Sequence, residues 1–324
     1  MSPPISRSRI AERLDGIVPP IELAILEPLI EEIEELKKQR NAVVLAHNYM
    51  TPDIYYGVSD LRGDSLQLAR MAAEVDADVI VMAGVHFMAE TAKILSPQKT
   101  VLIPDTRAGC SLAESITPAD IQGLRDRYPG APVVTYVNTS AAVKAASDIT
   151  CTSSNAVAVV ESLDSDTIIF TPDQYLGSWV AGQTDKEIIV WEGACEVHER
   201  FTGRQLVTLR NDTPGVKIIA HPECPPDVLA EADYVGSTAG MANWLKIEQP
   251  EQVAMITECS MADNVVELAP DTQFIRPCNM CPHMKRITVH NIRTALEDMQ
   301  HEVLVSDADA AGARRALEAM LAVS

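Results

Sequence analysis

Threefold internal repetition constrains this chain more than any other feature of its sequence. Three apolar, β-branched runs, Ala42–Leu45, Val133–Thr135 and Val216–Ile219, each lead into a polar cluster: His47-Asn48-Tyr49, Tyr136-Val137-Asn138 and His221-Pro222-Glu223. A hydroxyl-bearing cluster follows each, at Gly63-Asp64-Ser65, Thr152-Ser153-Ser154 and Gly236-Ser237-Thr238. A second buried run comes next, Val79–Met82, Ile168–Phe170 and Val253–Ile256, and then a third, Val101–Ile103, Ile188–Val190 and Phe274–Ile275. Each third run enters a loop with a cysteine: Cys110, Cys195 and Cys281, spaced by 85 and 86 residues. Aligned on the polar clusters, His47, Asn138 and His221 recur at intervals of 91 and 83 residues.

Helical signals lie between the strands. Ser65–Ala73, Ser153–Ser162 and Ser237–Glu248 begin at residues suited to an N-cap. Phe87–Leu95, Gln174–Gly182 and Met261–Leu268 carry apolar positions at helical spacing. Strands alternating with helices predict an α/β fold, with parallel sheets covered by helices. The spans are a flexible arm over 1–20, a first unit over 21–130 that includes an amphipathic helix at Ile21–Arg40, a second over 131–215 and a third over 216–300. A C-terminal helix occupies 301–324, and the tail Val289–Val323 supplies two helices in all. Ligands of parallel sheets bind beyond the carboxyl ends of the strands. Three such units around a pseudo-threefold axis would bring their polar clusters and their cysteines to one central site.

Composition narrows the partners. The 324 residues carry a formal charge of −20 and only 4% aromatics. That balance disfavours nucleic acid, which is bound by neutralising phosphates, and anionic membrane surfaces. No 18-residue apolar run predicts a membrane span, and the first residues lack the apolar core of a secretory signal. A cytoplasmic location is expected. There, seven cysteines read as metal ligands, reactive thiols or core residues before they read as a disulfide framework.

Three convergent thiolates suit zinc or three irons of an iron–sulfur cluster, either of which leaves a coordination position open for a substrate. Cys151 and Cys224 flank polar clusters and are expected near the site. Cys259 is expected to pack, and Cys278 forms a CxxC with Cys281 that would suit a redox pair. Ser65, Ser153, Ser237 and Thr238 at helix starts read as donors to anions, because a helix N-terminus offers free N–H groups and partial positive charge. His47, Tyr49, Tyr136, Asn138, His221 and Glu223 are the acid–base and binding candidates. His86, His198 and His283 are expected behind them.

The chain resembles the quinolinate synthases, iron–sulfur enzymes of de novo NAD biosynthesis. The resemblance rests on LAHNY (45–49), GDSLQLAR (63–70), GVHFMAETAKIL (84–95), AGCSLA (108–113), VTYVNTSAAVKA (134–145), CTSSNA (151–156), WEGACEVHE (191–199), HPEC (221–224), GSTAGM (236–241) and CPHMK (281–285). It implies three α/β domains about a pseudo-threefold axis. It implies a 4Fe–4S cluster on Cys110, Cys195 and Cys281, with Cys278 as the reserve ligand. By the same resemblance His47, Tyr49, Ser65, Tyr136, Asn138, Ser153, His221, Glu223, Ser237 and Thr238 line a cavity. There iminoaspartate and dihydroxyacetone phosphate would condense to quinolinate, phosphate and two waters. An L-aspartate oxidase would be a functional partner. Two other readings stand beside it: a non-catalytic iron–sulfur sensor that binds a phosphosugar, and a three-cysteine zinc hydrolase.

Overall fold

The computed structural model describes residues 9–323. The first unit comprises α1 (Arg9–Leu14), α2 (Pro20–Arg40), β1 (Ala42–His47), β2 (Leu61–Gly63), α3 (Ser65–Glu74), β3 (Val79–Ala83), α4 (His86–Leu95), β4 (Thr100–Leu102) and the single turn α5 (Ser111–Glu114). The second runs through α6 (Pro118–Arg127), β5 (Val133–Tyr136), α7 (Ala141–Ala146), β6 (Ile149–Cys151), α8 (Ala156–Glu161), β7 (Thr167–Thr171), α9 (Gln174–Ala181) and β8 (Glu187–Val190). The third runs through α10 (Gly203–Asp212), β9 (Lys217–Ala220), α11 (Pro226–Leu229), β10 (Tyr234–Val235), α12 (Thr238–Glu248), β11 (Gln252–Ile256), α13 (Ser260–Asn264) and β12 (Gln273–Ile275). Helices α14 (Val289–Asp298) and α15 (Asp307–Val323) complete the chain.

The units form three four-stranded parallel sheets with one topology: β2-β1-β3-β4, β6-β5-β7-β8 and β10-β9-β11-β12. This is the α/β architecture expected from the repeat. The central strands are the apolar runs, and all five residues of β3 are buried. The edge strands β2, β6 and β10 escaped prediction, since two or three residues are too few to show a period.

A side-chain device repeats beside each edge strand. Asp60, Asp148 and Asp233 accept the backbone N–H of Val44, Val133 and Ile218 at 2.8, 2.7 and 2.8 Å. Each carboxylate also binds a cation from the preceding helix: Lys37 at 2.7 Å, Arg125 at 2.9 Å and Arg210 at 2.9 Å. The same cations donate to the carbonyl two residues before each aspartate, at Val58, Ala146 and Glu231. These bonds set the equivalences. His47 corresponds to Tyr136 and His221, and Tyr49 corresponds to Asn138 and Glu223. The alignment of His47 with Asn138 is therefore corrected by two residues, because the strand-end clusters are too similar in polarity to show their own register.

The helices close a ring. Thr117/Asp120, Thr202/Gln205 and Thr288/Asn291 form capping boxes at the starts of α6, α10 and α14. A cap of this kind satisfies the free N–H groups of the first turn. Helix α6 supports the second sheet and α10 the third. Helix α14 packs against α2 and β3 of the first unit, with Leu296 fully buried. Helix α15 lies on α7 and β6. A Cβ on Gly312 would stand 2.8 Å from the Ala145 Cβ, so only glycine allows that contact.

Three local expectations differ. Within the predicted arm, residues 1–8 lie outside the described residues, but 9–20 include α1, whose Leu14 is fully buried. The helix expected from Ser153 begins only at Ala156, because the Asn155 side chain turns back to accept the N–H and hydroxyl of Thr152. The helix expected over Met261–Leu268 divides into α13 and a 3₁₀ turn at Val266–Leu268.

Candidate active site

The carboxyl ends of the three sheets face one cavity. Four sets of threefold-equivalent residues line it: His47/Tyr136/His221, Tyr49/Asn138/Glu223, Ser65/Ser153/Thr238 and Cys110/Cys195/Cys281. Ser237 stands just behind them. It caps α12 by accepting the Gly240 N–H, while the equivalent Asp64 caps α3 by accepting the Gln67 N–H. Ser154 of the second unit joins these two caps, donating to Asp64 at 2.5 Å and lying 2.8 Å from Ser237. The start of α3 thus already holds a carboxylate, whereas α12 begins with hydroxyls.

The cysteines share one local fold. Each opens a helical turn in which the N–H four residues on bonds its carbonyl: Glu114 to Cys110, Glu199 to Cys195, Lys285 to Cys281. The N–H groups two and three residues on face each sulfur: Leu112 and Ala113, Val197 and His198, His283 and Met284. Burial pushes the Cys110 thiol up to about 12 against those N–H groups, and raises Cys195 and Cys281 as well. Three soft donors, each with N–H groups aimed at its sulfur, in a cavity where a thiolate is costly without a cation, fit a thiolate-bound metal group.

His198 is the residue the sequence understated. Its Nδ1 lies 2.7 Å from Glu223 Oε2 and 3.2 Å from Cys195 Sγ, and its Nε2 lies 3.0 Å from Thr257 Oγ1. Tyr49 Oη is 2.5 Å from the same Thr257 hydroxyl. Tyr136 donates to Glu223 Oε1 at 2.6 Å. Burial alone would raise the Glu223 pKa, but His221, His198 and the hydrogen bonds from His198 and Tyr136 outweigh it and hold it at about 2. Glu223 is therefore a carboxylate at neutral pH.

His47 and His221 share a turn. The Nδ1 of His47 accepts the Tyr49 N–H at 3.2 Å, and that of His221 accepts the Glu223 N–H at 3.4 Å. The hydrogen of each ring is thereby assigned to Nε2; His221 Nε2 lies 3.2 Å from Ser153 Oγ. Burial lowers both imidazoles to about 3, so both are neutral donors. Asn138 Oδ1 is buried and has no hydrogen-bond partner among the described residues.

Glu258 and Lys285 also belong here. Glu258 accepts the Cys281 N–H at 3.3 Å, the Ser260 N–H at 2.8 Å and the Lys285 ammonium at 2.9 Å. The only signal for Glu258 was its register: it bridges Asn279, two residues before Cys281, as Asp173 bridges Gly193, two before Cys195.

The remaining cysteines correct their expectations. Cys259 does not simply pack, and Cys278 does not pair with Cys281: the two form a disulfide with each other, their Cα atoms 5.0 Å apart. Cys259 opens α13 next to Glu258, which puts it opposite a loop 19 residues on that local sequence could not locate. Cys151 and Cys224 are fully buried and do not line the cavity, because both side chains turn into the cores beneath it. His283 lines the cavity with its Nε2 3.0 Å from Glu196, whereas His86 does not.

Among the described residues no helix is long and apolar enough to cross a membrane. The family model NadA, quinolinate synthetase A protein, matches residues 31–322. Quinolinate synthase 2 of Mesorhizobium japonicum is 60% identical over 318 residues, covering 98% of each chain. Quinolinate synthase of Agrobacterium fabrum is 60% identical over 319 residues, 98% of this chain and 92% of that one. Quinolinate synthase of Xylella fastidiosa strain 9a5c is 62% identical over 294 residues, 91% and 87%. With its three equivalent sheets facing one cysteine-lined cavity, the chain belongs to the quinolinate synthetase A protein family.

Proposed function

We propose that the chain is a cytoplasmic quinolinate synthase that condenses iminoaspartate with dihydroxyacetone phosphate, giving quinolinate, phosphate and two waters. An L-aspartate oxidase supplies the iminoaspartate. The observation that carries this reading is the meeting of three equivalent cysteines, one per unit, with a buried acid–base set in one cavity. Cys110, Cys195 and Cys281 hold a 4Fe–4S cluster. Bound there, the cluster supplies one iron without a protein ligand, a Lewis acid for a substrate hydroxyl. Cys281 is favoured over Cys278 because it is the threefold equivalent of the other two and Cys278 is in the disulfide.

In the reaction a carbon–carbon bond forms as the carbon–oxygen bond to phosphate breaks. Proton transfer then moves the carbonyl from the middle to the terminal carbon of the three-carbon unit. The nitrogen closes onto that terminal carbon, and two waters leave, one from the ring-closing carbon and one from the neighbouring hydroxyl-bearing carbon. The chain's own groups bind the anions and move the protons. Hydroxyls of Ser65, Ser153 and Thr238 and the Nε2–H groups of His47 and His221 donate to carboxylate and phosphate oxygens. Neutral donors suit this role in a chain of charge −20. The orphan Asn138 Oδ1 accepts from a substrate N–H or O–H. Glu223 takes the proton that each loss of water requires, and Tyr136 and His198 orient its two oxygens. Tyr49, tied through Thr257 to His198, returns protons to leaving oxygens.

The test is anaerobic reconstitution of the full chain, followed by assay with both substrates. A brown protein with about four irons per chain that forms quinolinate is expected. A colourless zinc protein, or a brown one that binds a phosphosugar without turnover, would overturn the reading.

A further inference from the structure

Cys195, His198 and Glu223 break the threefold symmetry in a way the three-cysteine centre does not use. Three residues beyond Cys110 and Cys281 stand Ala113 and Met284, neither with a nitrogen donor, whereas His198 follows Cys195. Glu223 has Tyr49 and Asn138 as its counterparts. One donor atom from each of Cys195, His198 and Glu223 lies within 4.8 Å of the other two. Two edges, 3.2 Å from Sγ to Nδ1 and 2.7 Å from Nδ1 to Oε2, need modest widening, and the third, within 4.8 Å, has to reach the same range. Zinc bonds of about 2.0–2.3 Å set tetrahedral ligand edges at roughly 3.3–3.8 Å.

Each donor is also held from behind, as ligands in built metal sites are. Thr257 Oγ1 sits 3.0 Å from His198 Nε2, so the ring can place its hydrogen there and free Nδ1. Tyr136 occupies Glu223 Oε1 and leaves Oε2 toward the trio. The N–H groups of Val197 and His198 face the sulfur. His198 and Glu223 are 1% and 3% exposed, so these two donors are screened from competing water, while Cys195 is half-buried.

We propose that the metal-free chain binds one zinc ion through Cys195 Sγ, His198 Nδ1 and Glu223 Oε2, with its fourth position open to the cavity. On binding, the thiol releases its proton to solvent and the imidazole hydrogen moves from Nδ1 to Nε2, so one proton leaves per zinc. The site shares Cys195 with the three-cysteine centre, and the two cannot be filled together. It stands on the trio's geometry whichever group the three cysteines take.

Cobalt(II) titrated anaerobically into the reduced, metal-stripped full chain tests this. One equivalent should bind with a thiolate-to-cobalt charge-transfer band, and zinc should displace it. Cys195→Ala should abolish the band. His198→Ala should weaken binding at least tenfold. The double variant Cys110→Ala/Cys281→Ala should keep both band and affinity. No cobalt binding, a band that survives Cys195→Ala, unchanged affinity in His198→Ala, or loss of the site in the double variant would each overturn the proposal. Should His198→Ala not fold, the double variant decides alone, since a three-cysteine site requires its loss.

Discussion

The ammonium of Lys285 donates to the backbone carbonyl of Tyr49 at 2.9 Å, across 236 residues of chain. The same Nζ binds Ser260 Oγ at 2.6 Å and the buried Glu258 at 2.9 Å. Glu258 in turn accepts the Cys281 N–H. One ion pair thus holds a cysteine turn of the third unit and a cavity tyrosine of the first in fixed relation.

Lys285→Met should destabilise the chain by about 3–5 kcal/mol, because it strands a buried carboxylate. Glu258→Gln on that background should restore part of the loss, since the amide needs no cation. Denaturant midpoints of the single and double variants measure this. A single variant within about 0.5 kcal/mol of the parent, the usual range for surface substitutions, would mean that the pair does not fasten the two units.

Glu223→Gln should leave the iron content unchanged and lower kcat by a factor of about 10²–10⁴, the usual contribution of a general base. The amide keeps the shape but accepts no proton. Iron analysis with quinolinate formation on one sample checks it, and unchanged kcat removes Glu223 from the acid–base set.

The two cysteines of the CxxC should behave oppositely. Cys281→Ala should abolish visible absorbance and turnover together. Cys278→Ala should retain both, because Cys278 is bound to Cys259. Retained absorbance in Cys281→Ala would reject its role as a ligand.

Stability should fall with acid through His47 and His221. Each has a folded pKa of about 3, against 6.5 for the free side chain. Between those values the unfolded chain binds more protons, so their contribution is complete above pH 6.5 and is lost as pH falls toward 3. The slope should reach about 1.4 kcal/mol per pH unit for each histidine. Urea midpoints between pH 7 and pH 4 should show a shallower slope in His47→Asn than in the parent. Equal slopes would mean that His47 is solvated.

The repeat was legible because its central strands are buried on both faces and read as unbroken apolar runs. The 85- and 86-residue spacing of the cysteines fell out of the same pattern. The three ligand cysteines and the acid–base and anion-binding candidates line the cavity, except Ser237, which caps the helix beside it, while Cys151 and Cys224, also expected near the site, turn into the cores. Local sequence did not carry the pairing of Cys259 with Cys278, the joining of Asp64, Ser154 and Ser237 from three units, or the place of His198 between Cys195 and Glu223. Burial patterns and caps are written along the chain, since each depends on neighbours a few residues away. Contacts between units depend on how three sheets are turned toward one axis, a relation among residues tens to hundreds of positions apart that no short stretch of sequence encodes.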